Sequence, residues 1–363
     1  MRRNRWLALA ALLFGAAAVL LALADDGPAP APKREIDYPQ SFDAPEWKRQ
    51  RERATLAVPP APGSVPVTEP SGPGTEGGLR DPFLVSLPVK EGGLVMVFEA
   101  NALRQSRLGE RFIACLEARH PGDLAAFQKD TGVDPLKDLD RVAFLDNALV
   151  LSGQFQSARW DQLGSSPVSY GHAGRIWRDD GAWIAAWRDQ LVFIAETEDD
   201  ARRAIDQLEG RAPVPASSLG EDLAYGEVYG IIPGASARRL LGSDERAIGS
   251  KLAALARRVE LHVDAMDDIA AVVRVQGDDR EGVEDLAKTI GAALAVARVN
   301  AQAGEDRVFA DLLESAEVRL DGGGFSVQFA VPADRLERWF ADCERPRPAT
   351  PSPGEPGADS EVQ

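Results

Sequence analysis

From residue 82 to about 344 the spacing of apolar positions switches repeatedly between two residues and about 3.6, and that alternation predicts an α+β body. Residues 93–99 (GLVMVFE) read as a strand. Leu108, Phe112, Cys115 and Leu116 then share one helical face, and residues 124–129 continue helically. Residues 141–145 and 148–153 predict two strands joined at Asp146-Asn147, because Asp and Asn tolerate positive φ in a two-residue turn. Residues 170–195 (YGHAGRIWRDDGAWIAAWRDQLVFIA) predict three more strands, with a type I′ turn at Asp180-Gly181 and another turn near Arg188-Asp189. That register puts Ile176, Trp183, Ala185, Trp187, Val192 and Ile194 on one face. It puts Trp177, Ala182, Ile184, Ala186, Leu191 and Phe193 on the other, so both faces are apolar.

The pattern then recurs. Residues 227–241 (EVYGIIPGASARRLL) follow the strand, break and short helix of residues 95–108 (VMVFEANALRQSRL). A helix is predicted over about 245–258, and residues 260–277 repeat the earlier hairpin. Closing helices are expected over 198–208 and 333–343. In the last hairpin Leu320, Phe325, Val327, Phe329 and Val331 point one way and Arg319, Ser326 and Gln328 the other. The expected fold is α+β: two similar halves of mainly antiparallel sheet, residues 82–215 and 216–344, with helices packed on one face.

Outside the body the composition changes. Arg2, Arg3 and Arg5 precede an apolar run over residues 7–24, and Asp25-Asp26 follow it. Basic before and acidic after is the positive-inside arrangement. Ala22-Leu23-Ala24 resembles a cleavage site, but the run approaches the ~20 residues of a spanning helix. An uncleaved signal-anchor over 1–24 is therefore favoured over a secreted, cleaved product. The expected location is the inner membrane, single-pass, with the body in the periplasm. Residues 25–81 are rich in Pro and Gly with little periodicity, and residues 345–363 are Pro-rich and polar. Both are expected to be disordered, as a linker and a tail.

The formal net charge of −16 opposes binding to nucleic acid or anionic lipid. There are only two cysteines, Cys115 and Cys343, each on the inward side of a predicted helix. In an oxidising compartment they are candidates for a disulfide, against the alternative that free Cys is simply well buried. Asp134, Asp138, Asp140 and Asp146 lack the spacing and glycine of a calcium loop, and Asp134 before Pro135 reads as a helix cap. Of the three histidines, none lies in a metal motif. His120 reads as a helix end, and His262, alternating with Glu260 and Asp264, as a solvated strand face. No nucleophile elbow or P-loop appears, and the G-x-G-x-x-G at Gly72–Gly77 lacks the strand and helix that motif requires. No metal and no cofactor is expected.

The run Gly132-Val-Asp134-Pro135-Leu-Lys137-Asp138-Leu-Asp140, leading into a hairpin and then Gly153-Gln-Phe155, resembles a group of uncharacterised exported bacterial proteins. They carry an N-terminal membrane segment and a duplicated α+β body. The resemblance implies that architecture and supplies no activity. The expected function is a membrane-tethered extracytoplasmic binding or envelope-organising module without catalytic activity. The alternatives are an enzyme whose site is assembled from distant residues, or a small-ligand sensor between the halves. The doubly apolar hairpin offers Tyr170, Trp177, Trp183 and Trp187 as candidates for contact with a protein or glycan partner in the cell envelope, against packing within the chain.

Overall fold

The computed structural model describes residues 81–331, except 91–92, 163, 215–218, 221–222, 235, 237–245, 267, 304–312 and 314. The segments expected to form the signal-anchor, the linker up to residue 80, the closing helix over 333–343 and the tail lie outside the described residues.

The strands form one sheet in the order β11-β12-β10-β9-β8-β1-β2-β3-β7-β6-β5-β4. Strand β1 is Val95–Phe98, β2 Leu139–Leu145, β3 Ala148–Gly153, β4 Val168–Tyr170, β5 Gly174–Asp179, β6 Ala182–Trp187 and β7 Leu191–Ala195. The remainder are β8 Val228–Ile232, β9 Arg258–Asp264, β10 Ile269–Gln276, β11 Glu317–Asp321 and β12 Gly324–Val331. Every pairing is antiparallel, and β1 pairs with β8 at the centre through Val95↔Ile231 to Phe98↔Val228. Two wings run outward from that central pair.

Seven helices are described: α1 Pro82–Ser86, α2 Ala100–Gln105, α3 Arg107–Arg119, α4 Pro121–Thr131, α5 Glu198–Leu208, α6 Arg246–Leu255 and α7 Arg280–Ala303. Ser106 separates α2 from α3 by accepting the Gly109 amide at 2.9 Å, as an N-cap. Gly132, at φ 76°, ends α4 in the left-handed region that glycine alone enters without strain.

Helices cover both faces, which corrects the expectation of one. On one face α1 and α5 bring Phe83, Leu84, Ala201, Ala204 and Ile205 onto Val97, Ala143, Ala185, Trp187 and Phe193. On the opposite face of the same wing, Phe127 of α4 joins Val142, Leu151, Trp177, Ile184 and Val192. The other wing carries α6 and α7 on that second face, where Leu252, Val283 and Leu286 meet Val259, Val275 and Phe325. The cause lies in the sequence: β5–β7 are apolar at consecutive positions, so each side requires its own cover.

Two local expectations also change. Trp187 pairs with Leu191, so the β6–β7 turn has three residues, with Arg188 and Asp189 both at φ 52°. The added residue shifts β7 by one and reverses its faces. Leu191 and Phe193 therefore join Trp187, while Val192 joins Trp177 and Ile184. The β2–β3 hairpin forms at Asp146-Asn147, but neither residue is among the positive-φ positions. Their side chains hold neighbours instead: Asp146 accepts the Leu94 amide at 2.8 Å and Asn147 donates to Asp200 at 2.7 Å. The Asp180-Gly181 turn has positive φ at both residues, as type I′ requires.

The acidic run before β2 forms a turn. Asp134 accepts the Leu136 amide at 3.0 Å, and Asp138 accepts the Asp134 amide at 2.7 Å, a reciprocal cap. Asp140 lies 3.8 Å from Arg104. Replacing Asp134 by Ala should cost about 1 kcal/mol, the usual value of such a cap. Chemical denaturation in the presence and absence of calcium checks this, and a calcium-dependent midpoint in the parent chain would show a metal role instead.

Candidate functional site

The sequence-predicted aromatic group is divided by the fold. Trp187 is 8% exposed on the α5 side, whereas Trp177 is 2% exposed on the opposite side beside Trp160. Trp183 and Tyr170 are half-buried at the margin of the α5 side. The Arg202 and Arg211 guanidinium groups each lie 4.8 Å from the Tyr170 ring centroid, and the Tyr170 hydroxyl donates to Asp206 at 3.1 Å. Tyr170 and Trp183 are thus partly open to contact, while Trp177 and Trp187 are core residues.

Cys115 is buried on α3 among Leu108, Phe112, Ile269 and Val331, and it is disulfide-bonded. Cys343 is the chain's other cysteine and lies outside the described residues.

Among the described residues, a concentration of buried ionisable groups lies along the central strands, where the sequence predicts a solvated face at His262. Arg141 pairs with Asp81, sits 4.6 Å over the Phe83 ring and lies 4.0 Å from Glu99. Burial opposes its charge, but Asp81 and Glu99 more than offset that, and its pKa lies above the ordinary arginine value. Glu99 accepts from the Tyr229 hydroxyl at 2.7 Å. Tyr229 is directly opposite Val97 on β1 and His262 on β9.

His262 is fully buried, which corrects its reading as a solvated position. Its ring stacks on Tyr225 at 3.7 Å and 4°, and Arg274 donates to the Tyr225 hydroxyl at 2.6 Å. Burial, with Arg274 and Arg258 nearby, lowers its pKa to about 4 despite the Tyr225 carbonyl 3.4 Å from Nδ1. Its Nε2 has no hydrogen-bond partner.

Glu227 is also fully buried. Gly226 precedes it at φ 88°, where an added Cβ would lie 2.5 Å from the Val263 carbonyl oxygen. That close approach delivers Glu227 to the end of three strands. One carboxylate oxygen accepts the Ala265 amide at 2.7 Å and the other has no partner. Burial, reinforced by Asp264 and Glu99 and opposed by the Ala265 amide, raises its pKa to about 7. Strand alternation could not announce this: Glu227 sits just before β8 and is captured by a loop 38 residues away.

The set contains an acid and an imidazole, and both are fully buried. A hollow of about 120 Å³ beside Arg280, Glu284 and Asp321 is well below the several hundred Å³ of ordinary ligand sites. Among the described residues, no group of three or more His, Cys, Asp or Glu is placed to hold a metal ion, and no helix is long and apolar enough to cross a membrane.

No protein-family model matches the chain, and no curated protein matches its sequence. Solved structures of crystal forms I, III and IV of TP0453 align with TM-scores of 0.40, 0.42 and 0.40 and identities of 13%, 14% and 12%. The alignments cover 73%, 72% and 73% of this chain and 98%, 98% and 97% of theirs. At this level of similarity nothing about activity transfers.

Proposed function

We propose that the chain is a membrane-tethered, extracytoplasmic module that binds a partner or organises the envelope, and that it is not an enzyme. The observation that carries this reading is the full enclosure of Glu227 and His262, whose pKa values burial moves to about 7 and about 4. They are spent on joining strands. The tether rests on the basic, apolar and acidic sequence of residues 1–26. A ligand sensor between halves is not favoured, because β1 and β8 are hydrogen-bonded neighbours in one continuous sheet.

We infer further that the two wings are repeats of one unit. The path β1-β2-β3-β7-β6 leads outward on one side of the central pair, and β8-β9-β10-β12-β11 leads outward on the other. Strands β4 and β5 extend the first wing alone. The elements between the hairpin and the outer strands differ, as expected of a duplication that has diverged: a short 3-10 turn with β4 and β5 in one wing, and the long α7 in the other.

Partner contact is assigned to Tyr170 and Trp183, the half-buried members of the aromatic group. A photo-crosslinking residue placed at either position in intact cells should give a discrete adduct, and one at Trp177 should give none. Absence of adducts at both positions would remove this surface from the proposal. The tether is tested separately. A reporter fused after Glu344 should work only if it is one that functions outside the cytoplasm, and activity of a cytoplasmic reporter would overturn the topology.

A further inference from the structure

We propose that Glu227 and His262 form an opposed pair that keeps the joint of β1, β8 and β9 nearly constant in strength from acidic to slightly alkaline pH. Glu227 ties that joint with its whole length. Its amide donates to the Val263 carbonyl on β9 at 2.8 Å. Its carbonyl accepts from the Glu99 amide at the end of β1, also at 2.8 Å, and its carboxyl holds the Ala265 amide. His262 lies on β9 opposite Tyr229, between the central pair and β10.

Each is best accommodated neutral. An ionised Glu227 would have one unpartnered oxygen in the core, facing Asp264 and Glu99. A protonated His262 would have an unpartnered Nε2–H, with Arg274 and Arg258 as its charged neighbours and Tyr225 stacked on its face. The two ionise on opposite sides of the same pH range. Glu227 has its folded pKa raised from 4.5 to about 7, so its contribution is complete below 4.5 and is lost as pH rises through 7. His262 has its folded pKa lowered from 6.5 to about 4, so its contribution is complete above 6.5 and is lost as pH falls through 4. Between those limits one gain offsets the other loss. Such compensation suits a compartment whose pH follows the surroundings. That benefit rests on the proposed extracytoplasmic location, whereas the pair itself does not.

Single variants break the compensation in opposite directions. Glu227→Gln keeps the acceptor for Ala265 and fixes the group neutral, and His262→Phe keeps a ring against Tyr225. Denaturant unfolding of the full chain at pH 5 and pH 8 gives the folding constant of each relative to the parent, which cancels all other titrating groups. The E227Q-to-parent ratio should rise between ~10- and 100-fold from pH 5 to pH 8, because each unit of pKa shift is a factor of ten. The H262F-to-parent ratio should fall by a similar factor. The parent should change only a few-fold through this pair, and the double variant should match it in pH dependence. A ratio that is flat for either variant overturns the pair. Should H262F fail to fold, the parent protein still decides: a Glu227 carboxyl carbon resonance, assigned by its loss in E227Q, that titrates near the ordinary 4.5 would also overturn it.

Discussion

Trp177→Ala and Trp187→Ala are each expected to destabilise the fold by ~3–5 kcal/mol, the range for removing a large aromatic from a core. The two residues lie on opposite faces of the β5–β6 hairpin, in separate clusters, at 2% and 8% exposure. Their losses should therefore nearly add, as they do for residues without shared neighbours. The double variant then loses an amount comparable with the whole stability of an ordinary domain and should not fold. Trp183→Ala should cost less, since that ring is half-buried and touches the core only at its margin. Phenylalanine separates burial from polarity. The indole N–H groups of Trp177 and Trp187 have no partner, so Trp→Phe removes an unsatisfied donor while keeping most of the apolar area. Its cost should be a minor part of the alanine cost. Thermal or denaturant midpoints for the five single variants check the order, and an unchanged midpoint for W187A would show that the α5 face is an open surface.

How much of this was legible in advance depends on the range of the forces involved. The strand-helix-hairpin succession from β1 to β3 follows from local periodicity, because each element has its apolar positions within one or two turns of each other. The Asp180-Gly181 turn was legible for the same reason, since its chemistry is contained in two residues. The β6–β7 turn was not. Arg188 and Asp189 both take positive φ, a conformation that residue type does not advertise for arginine, and the resulting three-residue loop reverses β7. That reversal nevertheless leaves the strand buried, because residues 191–195 are apolar at every position. The helices on both faces follow from the same run, though the pattern alone names no covering element. The buried seam was hidden for a different reason. His262 reads as a solvated strand position in its own segment, and nothing local singles out Glu227 or Arg141. Their partners come from Ala265, Tyr225 and Asp81, and only the completed sheet brings those together.

Breaking the disulfide at Cys115 is the other change with a large expected effect. Cys115 is disulfide-bonded and packed beside Val331, the last residue of β12. The chain has one other cysteine, Cys343, so an intramolecular bridge has a single available partner. Such a bridge would tie α3, which belongs to the first half of the sequence, to the segment that follows β12. In the chain-entropy model, closing a loop of more than a hundred residues contributes about 5 kcal/mol, less any strain. Cys115→Ser should therefore lower stability by several kcal/mol, and it adds the cost of a hydroxyl among Leu108, Phe112 and Ile269. Cys343→Ser separates these effects, because it breaks the same bridge and leaves Cys115 as a small apolar side chain. The difference between the two variants reports the buried hydroxyl, and their common loss reports the bridge. Thiol labelling of the denatured, unreduced protein gives the decisive count. No reactive thiol is expected before reduction and two after it. Two before reduction would exclude any bridge. None before reduction, together with a dimer on a non-reducing gel, would place the bond between copies of the chain.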